Sequence, residues 1–182
     1  MSATELVLRL IALFDRLSIP YMMVGSYSSN YYGRPRSNDV ALAEEKLAVL
    51  RRELVPDFQF DPQMSFKTIT MTTRHVITHA ATAFKSEMFL LTDDPHDQSR
   101  FARRRQVDFD GCPVFLPTPE DVIIQKLRWS RGGKRAKDLT DAAEVIEVQR
   151  ANLDLASIRH WTALQQTSQL FEGLYGPRVQ SQ

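Results

Sequence analysis

The sequence has 182 residues, of which 43% are hydrophobic and 25% are charged, with 23 lysines and arginines against 22 aspartates and glutamates. This length holds one well-buried core with room for a small helical appendage, and two independent domains would be cramped. The balanced charge gives no global case for a polyanionic partner, and the single cysteine, Cys112, excludes an internal disulfide and a cysteine-rich zinc cluster.

The N-terminal stretch MSATELVLRLIALFDRLSIP predicts an amphipathic helix. Glu5 and Arg9 interrupt its apolar run, and no small-residue cleavage site follows, so the pattern is not that of a secretion signal. Ser2 and Glu5 have the form of a capping box. The residues at helical spacing on one face are Leu6, Leu10, Leu13, Phe14 and Leu17. No segment approaches the roughly 20 apolar residues that span a bilayer, so we expect a cytoplasmic protein with no membrane partner.

Short apolar runs and turn signals then alternate as they do in a mixed α/β protein. YMMVG (21–25) predicts a strand buried on both faces, SYSSNYYG (26–33) a short helix, and NDVALA (38–43) a second strand. A helix is expected over 44–54, before Pro56.

Three further segments have the composition of strands. The threonine-rich stretch 66–79 predicts a hairpin, and KSEMFLL (85–91) predicts a strand. RQVDFDGCPVFLP (105–117) predicts two strands joined at an Asp110-Gly111 turn.

The last third of the sequence is predicted to be helical. Thr118, Pro119 and two acids in the first turn begin one helix, and a second has its apolar face at Leu139, Ala142, Ala143 and Ile146. Asp154 caps a third, and WTALQQTSQLFEGL (161–174) forms a fourth. The predicted fold is therefore α/β (α+β): a mixed β-sheet flanked by helices over residues 1–117, with a helical region over 118–182 packed on it as one compact unit.

A Gly-Ser pair ends the first predicted strand and begins a helix. The glycine allows close approach to a ligand, and the serine hydroxyl and helix-start amides can donate to phosphate oxygens. Many α/β proteins use such a turn for packing alone. Asp39 lies on the next predicted strand after Ser26 and can project toward the same end of the sheet as the Gly-Ser turn. A magnesium–nucleotide site requires a carboxylate beside phosphate donors of this kind.

The run YMMVGSYSSNYYGRPRSNDVAL resembles the signature of the minimal nucleotidyltransferases, which are related to those found in bacterial toxin–antitoxin pairs. The resemblance extends from about Leu17 to Leu170. It implies that Gly25 and Ser26 cradle phosphate, that Asp39 is the first metal-binding carboxylate and that Glu87 is the third. It also covers Lys126 and a Lys-Asp-x-x-Asp element at Lys137, Asp138 and Asp141.

The second carboxylate of the family's Asp-x-Asp motif is Ala41 in this sequence. Side chains two apart on a strand share a face, so an aspartate here would help hold the paired ions of phosphoryl transfer, and an alanine offers no lone pair. We therefore expect impaired activity, whether the alanine is natural or was introduced to silence the enzyme. Glu44 and Glu45 lie close in sequence but are better placed for a helix start.

Basic residues provide further candidates for nucleotide or acceptor binding. Arg34 and Arg36 flank Pro35 in the loop before Asp39 and can reach phosphate or RNA, although a solvated loop explains them equally well. Lys126 can approach a triphosphate or remain at the surface. The clusters FARRRQ (101–106) and SRGGKRAK (130–137) are either solvated faces or nucleic-acid contacts.

Two other groups of residues are weighed as metal sites and found less suitable. His75 and His79 are predicted to lie on a strand, where a spacing of four separates the rings by roughly 13 Å. Asp93, Asp94 and Asp97 are better explained as a loop with helix caps.

Two functions follow. The resemblance implies transfer of a nucleoside monophosphate from a magnesium-bound nucleoside triphosphate, ATP included, to an RNA, protein or small-molecule hydroxyl. Gly25, Ser26, Arg36 and Lys126 would then bind nucleotide, and Asp39 and Glu87 would bind Mg²⁺. An antitoxin-like protein partner is possible on the same resemblance. The alternative is a non-catalytic module of the same fold that senses nucleotide or binds protein or RNA.

Overall fold

The computed structural model describes residues 3–33, 39–54, 57–61, 65–67, 72–82 and 84–176. The helices are α1 Ala3–Arg16, α2 Ser26–Tyr32, α3 Leu47–Glu53, α4 Pro95–Ala102, α5 Pro119–Trp129, α6 Ala136–Gln149, α7 Leu155–Leu164 and α8 Ser168–Tyr175. The strands are β1 Tyr21–Val24, β2 Asp39–Leu42, β3 Phe58–Phe60, β4 Ser65–Lys67, β5 Thr72–His79, β6 Lys85–Leu90, β7 Arg105–Phe109 and β8 Cys112–Leu116. Within these ranges, no helix is both long enough and apolar enough to cross a membrane.

The described strands form a six-stranded mixed sheet and a separate hairpin. The order of the large sheet is β1-β2-β6-β5-β3, with β4 also paired to β5. Strands β2 and β6 are parallel, and the other pairings are antiparallel. The predicted fold class is confirmed, because helices accompany a mixed sheet and the C-terminal third is helical.

The chain divides into two compact units. The first comprises Met1–Tyr27 and Ser37–Pro117, and the second comprises Ser28–Arg36 and Thr118–Gln182. Helix α2 thus begins in the first unit, and its later residues cluster with the C-terminal helices.

The core of the first unit forms around β1, all four residues of which are buried. The Phe14 ring of α1 lies 5.5 Å from the Tyr21 ring, and the Phe115 ring of β8 lies 5.7 Å from it on an edge-on approach. The apolar face of α1 is buried as its spacing predicts, at Leu6, Leu10, Leu13 and Phe14. Ser2, the proposed cap, lies outside the described residues.

Local turn chemistry explains the elements of the sheet unit that were predicted well. Asp110 and Gly111 have φ of 57° and 79°, the left-handed pair that a tight two-residue hairpin needs. The predicted 66–79 hairpin is present as β4 and β5, paired from Ser65↔Arg74 to Lys67↔Thr72, and its connection lies outside the described residues.

Three sequence predictions need correction. The 44–54 helix begins as a 3-10 turn over Glu44–Lys46 and becomes α-helical only at Leu47. The acidic loop contains a helix that was not predicted, α4, whose N-cap Asp94 accepts the amides of His96 and Asp97. The predicted 161–174 helix is two helices, since α7 ends at Leu164 and Gln166 adopts a φ of 58° before α8.

The helical unit begins at the predicted cap. The Thr118 hydroxyl accepts the Asp121 amide at 3.3 Å, and Pro119 occupies the first turn of α5. Asp154 caps α7 in the same way, accepting the Ser157 amide at 3.0 Å. Gln149 of α6 donates to the Tyr32 carbonyl at 3.3 Å, which joins the α2 segment to this unit.

Candidate functional site

Gly25 turns the chain from β1 directly into α2. Its φ is 64°, a left-handed conformation that costs a side-chain-bearing residue about 1–2 kcal/mol. Ser26 is the first residue of α2 and is buried. The predicted Gly-Ser pair therefore forms a strand–turn–helix junction with no intervening loop.

The register of the sheet brings three predicted positions together. Asp39 is the Cα partner of Val24, the residue before Gly25, and on its other side it is the Cα partner of Glu87. Neighbouring strands lie about 4.8 Å apart, so the junction and both acidic positions occupy adjacent strands at one level of the sheet. Only the backbone of Asp39 is described, and Arg34 and Arg36 lie outside the described residues.

Ala41 provides no ligand at the position where the resemblance expects a second carboxylate. It lies two residues along β2 from Asp39, is paired with Met22 and Phe89, and is 1% exposed. The surrounding strand is otherwise regular, so the substitution changes the chemistry of the position and leaves its backbone setting in place.

Glu87 forms an ion pair with Arg74, a residue of the predicted 66–79 hairpin to which the sequence pattern assigned no role. The Arg74 Nη1 group donates to Glu87 Oε1, and Nε donates to the Ser65 hydroxyl at 2.9 Å. The two charged side chains are 26% and 35% exposed, so solvent reaches both. Finding this contact requires the β5–β6 register, in which Arg74 is opposite Phe89 and Glu87 is opposite Val76.

These side chains do not fit the two-ion site that the resemblance implies. Position 41 has no donor atom, and the Glu87 carboxylate already has a guanidinium partner. Among the described residues there is no group of three histidines, cysteines or acids that could hold a metal ion.

Lys126 belongs to the helical unit and is buried there between two carboxylates. Its Nζ lies 2.6 Å from Asp141 Oδ2 and 3.3 Å from Asp138 Oδ1, and Arg135 Nε lies 3.1 Å from the other Asp138 oxygen. The Lys-Asp-x-x-Asp element thus presents two acids, three residues apart on α6, to a lysine of α5. Lys126 does not remain at the surface, and a role in nucleotide binding stays a prediction.

The histidines of β5 are packing residues. The His75 ring lies 6.3 Å from the Phe60 ring, and burial, with a further effect from Arg51, lowers its pKa, so it is neutral at physiological pH. His79 packs on Phe58 at 5.2 Å, and its Nδ1 lies 3.1 Å from the Thr82 hydroxyl. Their predicted strand is confirmed.

Comparison with known proteins identifies the fold. No family model matches the chain, and none of the curated proteins matches it. Among solved structures, an antigenic nucleotidyltransferase-like protein from Paracoccidioides brasiliensis aligns with a TM-score of 0.52 at 17% identity, covering 94% of this chain and 91% of that one. ANT(2")-Ia in complex with adenylyl-2"-tobramycin aligns with a TM-score of 0.63 at 11% identity, covering 89% and 95%.

A solution structure of the antibiotic-resistance factor ANT(2")-Ia also aligns, with a TM-score of 0.56, 15% identity and coverage of 91% and 97%. At these identities the likeness concerns fold alone. The chain has a nucleotidyltransferase-like fold, as the resemblance in its sequence implies.

Proposed function

We propose that this protein is a nucleotidyltransferase whose transfer activity is impaired in the present sequence by Ala41. The observation that carries the proposal is the strand register: Asp39 lies beside both the residue before the Gly25-Ser26 junction and Glu87. A packing turn alone does not require acids on the two neighbouring strands at that level.

The proposed reaction is attack of an acceptor hydroxyl on the α-phosphorus of a nucleoside triphosphate, with pyrophosphate leaving. Gly25 and Ser26 would orient the phosphates. Asp39 and Glu87, with an aspartate restored at position 41, would hold Mg²⁺, which supplies charge neutralisation when bound. Arg36 and Lys126 are the further candidates for nucleotide contact.

The donor and acceptor are proposed at the level of chemical class. The aligned ANT(2")-Ia structure holds adenylyl-2"-tobramycin, an adenylyl adduct of a small molecule. This supports ATP as the first donor to test and a small-molecule hydroxyl as the first acceptor. RNA and protein hydroxyls, an antitoxin-like partner and a cytoplasmic setting remain proposals from the sequence resemblance alone.

A second candidate function is a non-catalytic module that binds nucleotide in the same place. The buried methyl group of Ala41 and the pairing of Glu87 with Arg74 favour it, since the first lacks a metal ligand and the second neutralises one, while the junction at Gly25 is kept. The two candidates differ in one property, which is whether restoring an acid restores transfer.

The test compares this chain with Ala41→Asp and, as a control of equal size without the charge, Ala41→Asn. Each is incubated with Mg²⁺ and ATP radiolabelled at its α-phosphate, with tobramycin, total RNA or no added acceptor. Only Ala41→Asp is expected to transfer label. Nucleotide binding without transfer by any variant supports the module, and absence of both binding and transfer would contradict both candidates.

A further inference from the structure

Arg74 is a fixed cation beside the candidate site. Its guanidinium is held at two points, by the Glu87 carboxylate on β6 and by the Ser65 hydroxyl on β4, and Arg74 itself lies on β5 between those strands. Three strands of one sheet therefore determine where this positive charge lies. A loose surface pair lacks this restraint and contributes little.

We propose that Arg74 is the permanent cation of the candidate site. It pairs with Glu87, where a divalent ion would otherwise bind, and it binds a phosphate oxygen of the ligand directly. The proposal rests on the proposed function, because it concerns the same site. It assigns the recognition of polyphosphate to a side chain of the protein.

The chemistry of the guanidinium supports this role. Arginine stays charged at all accessible pH values and presents five N–H groups in a planar fork. Glu87 and Ser65 take one group each, from Nη1 and Nε, and Arg74 Nη2 has no partner among the residues that the structure describes. Because both partners lie on its other nitrogens, donors remain for a phosphate oxygen, which arginine binds through charge-assisted hydrogen bonds.

The same contact opposes a divalent ion. The Arg74 charge beside Glu87 neutralises the carboxylate and repels an incoming divalent ion, so a metal binds there more weakly than at an unpaired carboxylate. Two changes separate this site from a metal site: Ala41 removes one ligand, and Arg74 engages another. Restoring an acid at position 41 therefore leaves Glu87 still paired with the Arg74 charge.

The experiment measures two kinds of binding with four variants: Arg74→Gln, Ala41→Asp, the double variant A41D/R74Q, and Arg105→Gln. The last removes one positive charge from an exposed position on β7 of the same unit and is the control. Inorganic tripolyphosphate binding is measured by calorimetry in EDTA, and Mn²⁺ binding is measured by electron paramagnetic resonance without nucleotide.

We expect tripolyphosphate to bind this chain and Arg105→Gln without metal, and Arg74→Gln to weaken that binding about tenfold or more, the equivalent of one charge-assisted hydrogen bond. Mn²⁺ should bind A41D/R74Q at least about tenfold more tightly than Ala41→Asp. If Arg74→Gln does not fold, as judged by circular dichroism, Arg74→Lys replaces it, because a lysine keeps the charge and loses the fork.

Equal Mn²⁺ affinity of Ala41→Asp and A41D/R74Q overturns the proposal, as does tripolyphosphate binding that Arg74→Gln leaves unchanged or that requires metal. These outcomes are separate from failure of the proposed function. If A41D/R74Q binds Mn²⁺ tightly yet transfers no nucleotide to any acceptor, Arg74 keeps its role and the transferase assignment fails.

Discussion

At the scale of single residues, the conformation of Gly25 is the feature of the candidate site with the most direct energetic consequence. Gly25→Ala should lower the free energy of unfolding by about 1–2 kcal/mol, because alanine is strained at a φ of 64°. It should also weaken nucleotide binding, since the junction would relax. Urea unfolding and calorimetric titration with ATP measure the two effects.

Gly173 is the matched control for that change. It lies in α8, where a Cβ would meet nothing within 4 Å, so Gly173→Ala should stabilise the chain by roughly 0.5–1 kcal/mol. Equal effects of the two alanine substitutions would show that the conformation of Gly25 carries no cost and that the junction tolerates a side chain.

The buried hydroxyl of Tyr21 leads us to expect a loss of stability at alkaline pH. Burial, with a smaller effect of the Asp15 charge, raises its pKa to about 12 from an ordinary value of about 10. The folded state therefore holds the phenolic proton more tightly than the unfolded state does. The resulting stability is fully present below pH 10 and is lost as the pH rises toward 12, by roughly 2–3 kcal/mol in total.

The measurement is urea unfolding at several pH values from 9 to 12, on this chain and on Tyr21→Phe, for which that part of the pH dependence should vanish. Tyr31→Phe is the control, because Tyr31 is 44% exposed. A Tyr21→Phe protein with an unchanged alkaline slope would assign the loss of stability to other groups.

Site residues could be proposed from the sequence where the chemistry is local. A glycine-serine turn and acids on short apolar strands are visible in the letters, and with the family resemblance they suggested Gly25, Ser26, Asp39 and Glu87, whose roles stay predictions. Arg74 could not be named, because its importance depends on the pairing of β5 with β6, and nothing in TTRHV indicates which acid lies across the sheet.

At the scale of elements, the buried ion pairs between α5 and α6 predict the largest loss of stability from a single substitution. Lys126→Met should destabilise the chain by about 3–5 kcal/mol, because Asp141 would remain buried without a cation and Asp138 would keep only Arg135. Thermal and urea unfolding measure this loss. Lys134→Met is the control, since Lys134 is exposed on the connection between the same two helices.

A triple change separates desolvation from attraction in this cluster. Replacing Lys126, Asp138 and Asp141 together by Met, Leu and Leu should recover much of the lost stability, because apolar side chains need no charged partner in a buried position. If Lys126→Met alone unfolds no more easily than Lys134→Met, the three charges are solvated in the folded protein and the description of the cluster is wrong.

Helices and strands were predictable to the extent that their ends carry chemical signals. Asp110-Gly111 located a hairpin and Thr118-Pro119 located the start of α5, because those residue types favour one backbone conformation. The end of α7 has no such signal: Gln166 adopts a left-handed φ although no glycine is present. Helix α4 was missed because PHDQSRFA has too few apolar residues to show a helical period.

At the scale of the whole molecule, the membership of the helical unit is not contiguous in sequence. The sequence indicates a change of character after residue 117, and the contacts add Ser28–Arg36 to the helices that follow it. Tyr32 is 8% exposed, and its carbonyl accepts from Gln149. Such a long-range association cannot be read from periodicity, because it depends on which surfaces meet.

This membership predicts the behaviour of a fragment. A fragment of residues 118–182 should unfold at lower urea concentration alone than with a synthetic peptide of residues 26–36. The expected difference in the free energy of unfolding is roughly 2 kcal/mol, the value of burying one large side chain. Circular dichroism monitors the transition. The same peptide with Tyr32→Ser is the control and should stabilise less, and indifference to both peptides would contradict the assignment.

Ala41 also determines how many mutations separate this sequence from one with an acid at that position. Alanine and aspartate codons can differ at a single base, and the strand around position 41 keeps its regular pairing to both neighbours. The acid is therefore within reach of one point mutation, whereas release of Glu87 needs an independent change at Arg74. A genetic selection for regained transfer should therefore yield single revertants at position 41 first, with changes at Arg74 arising only in a second step.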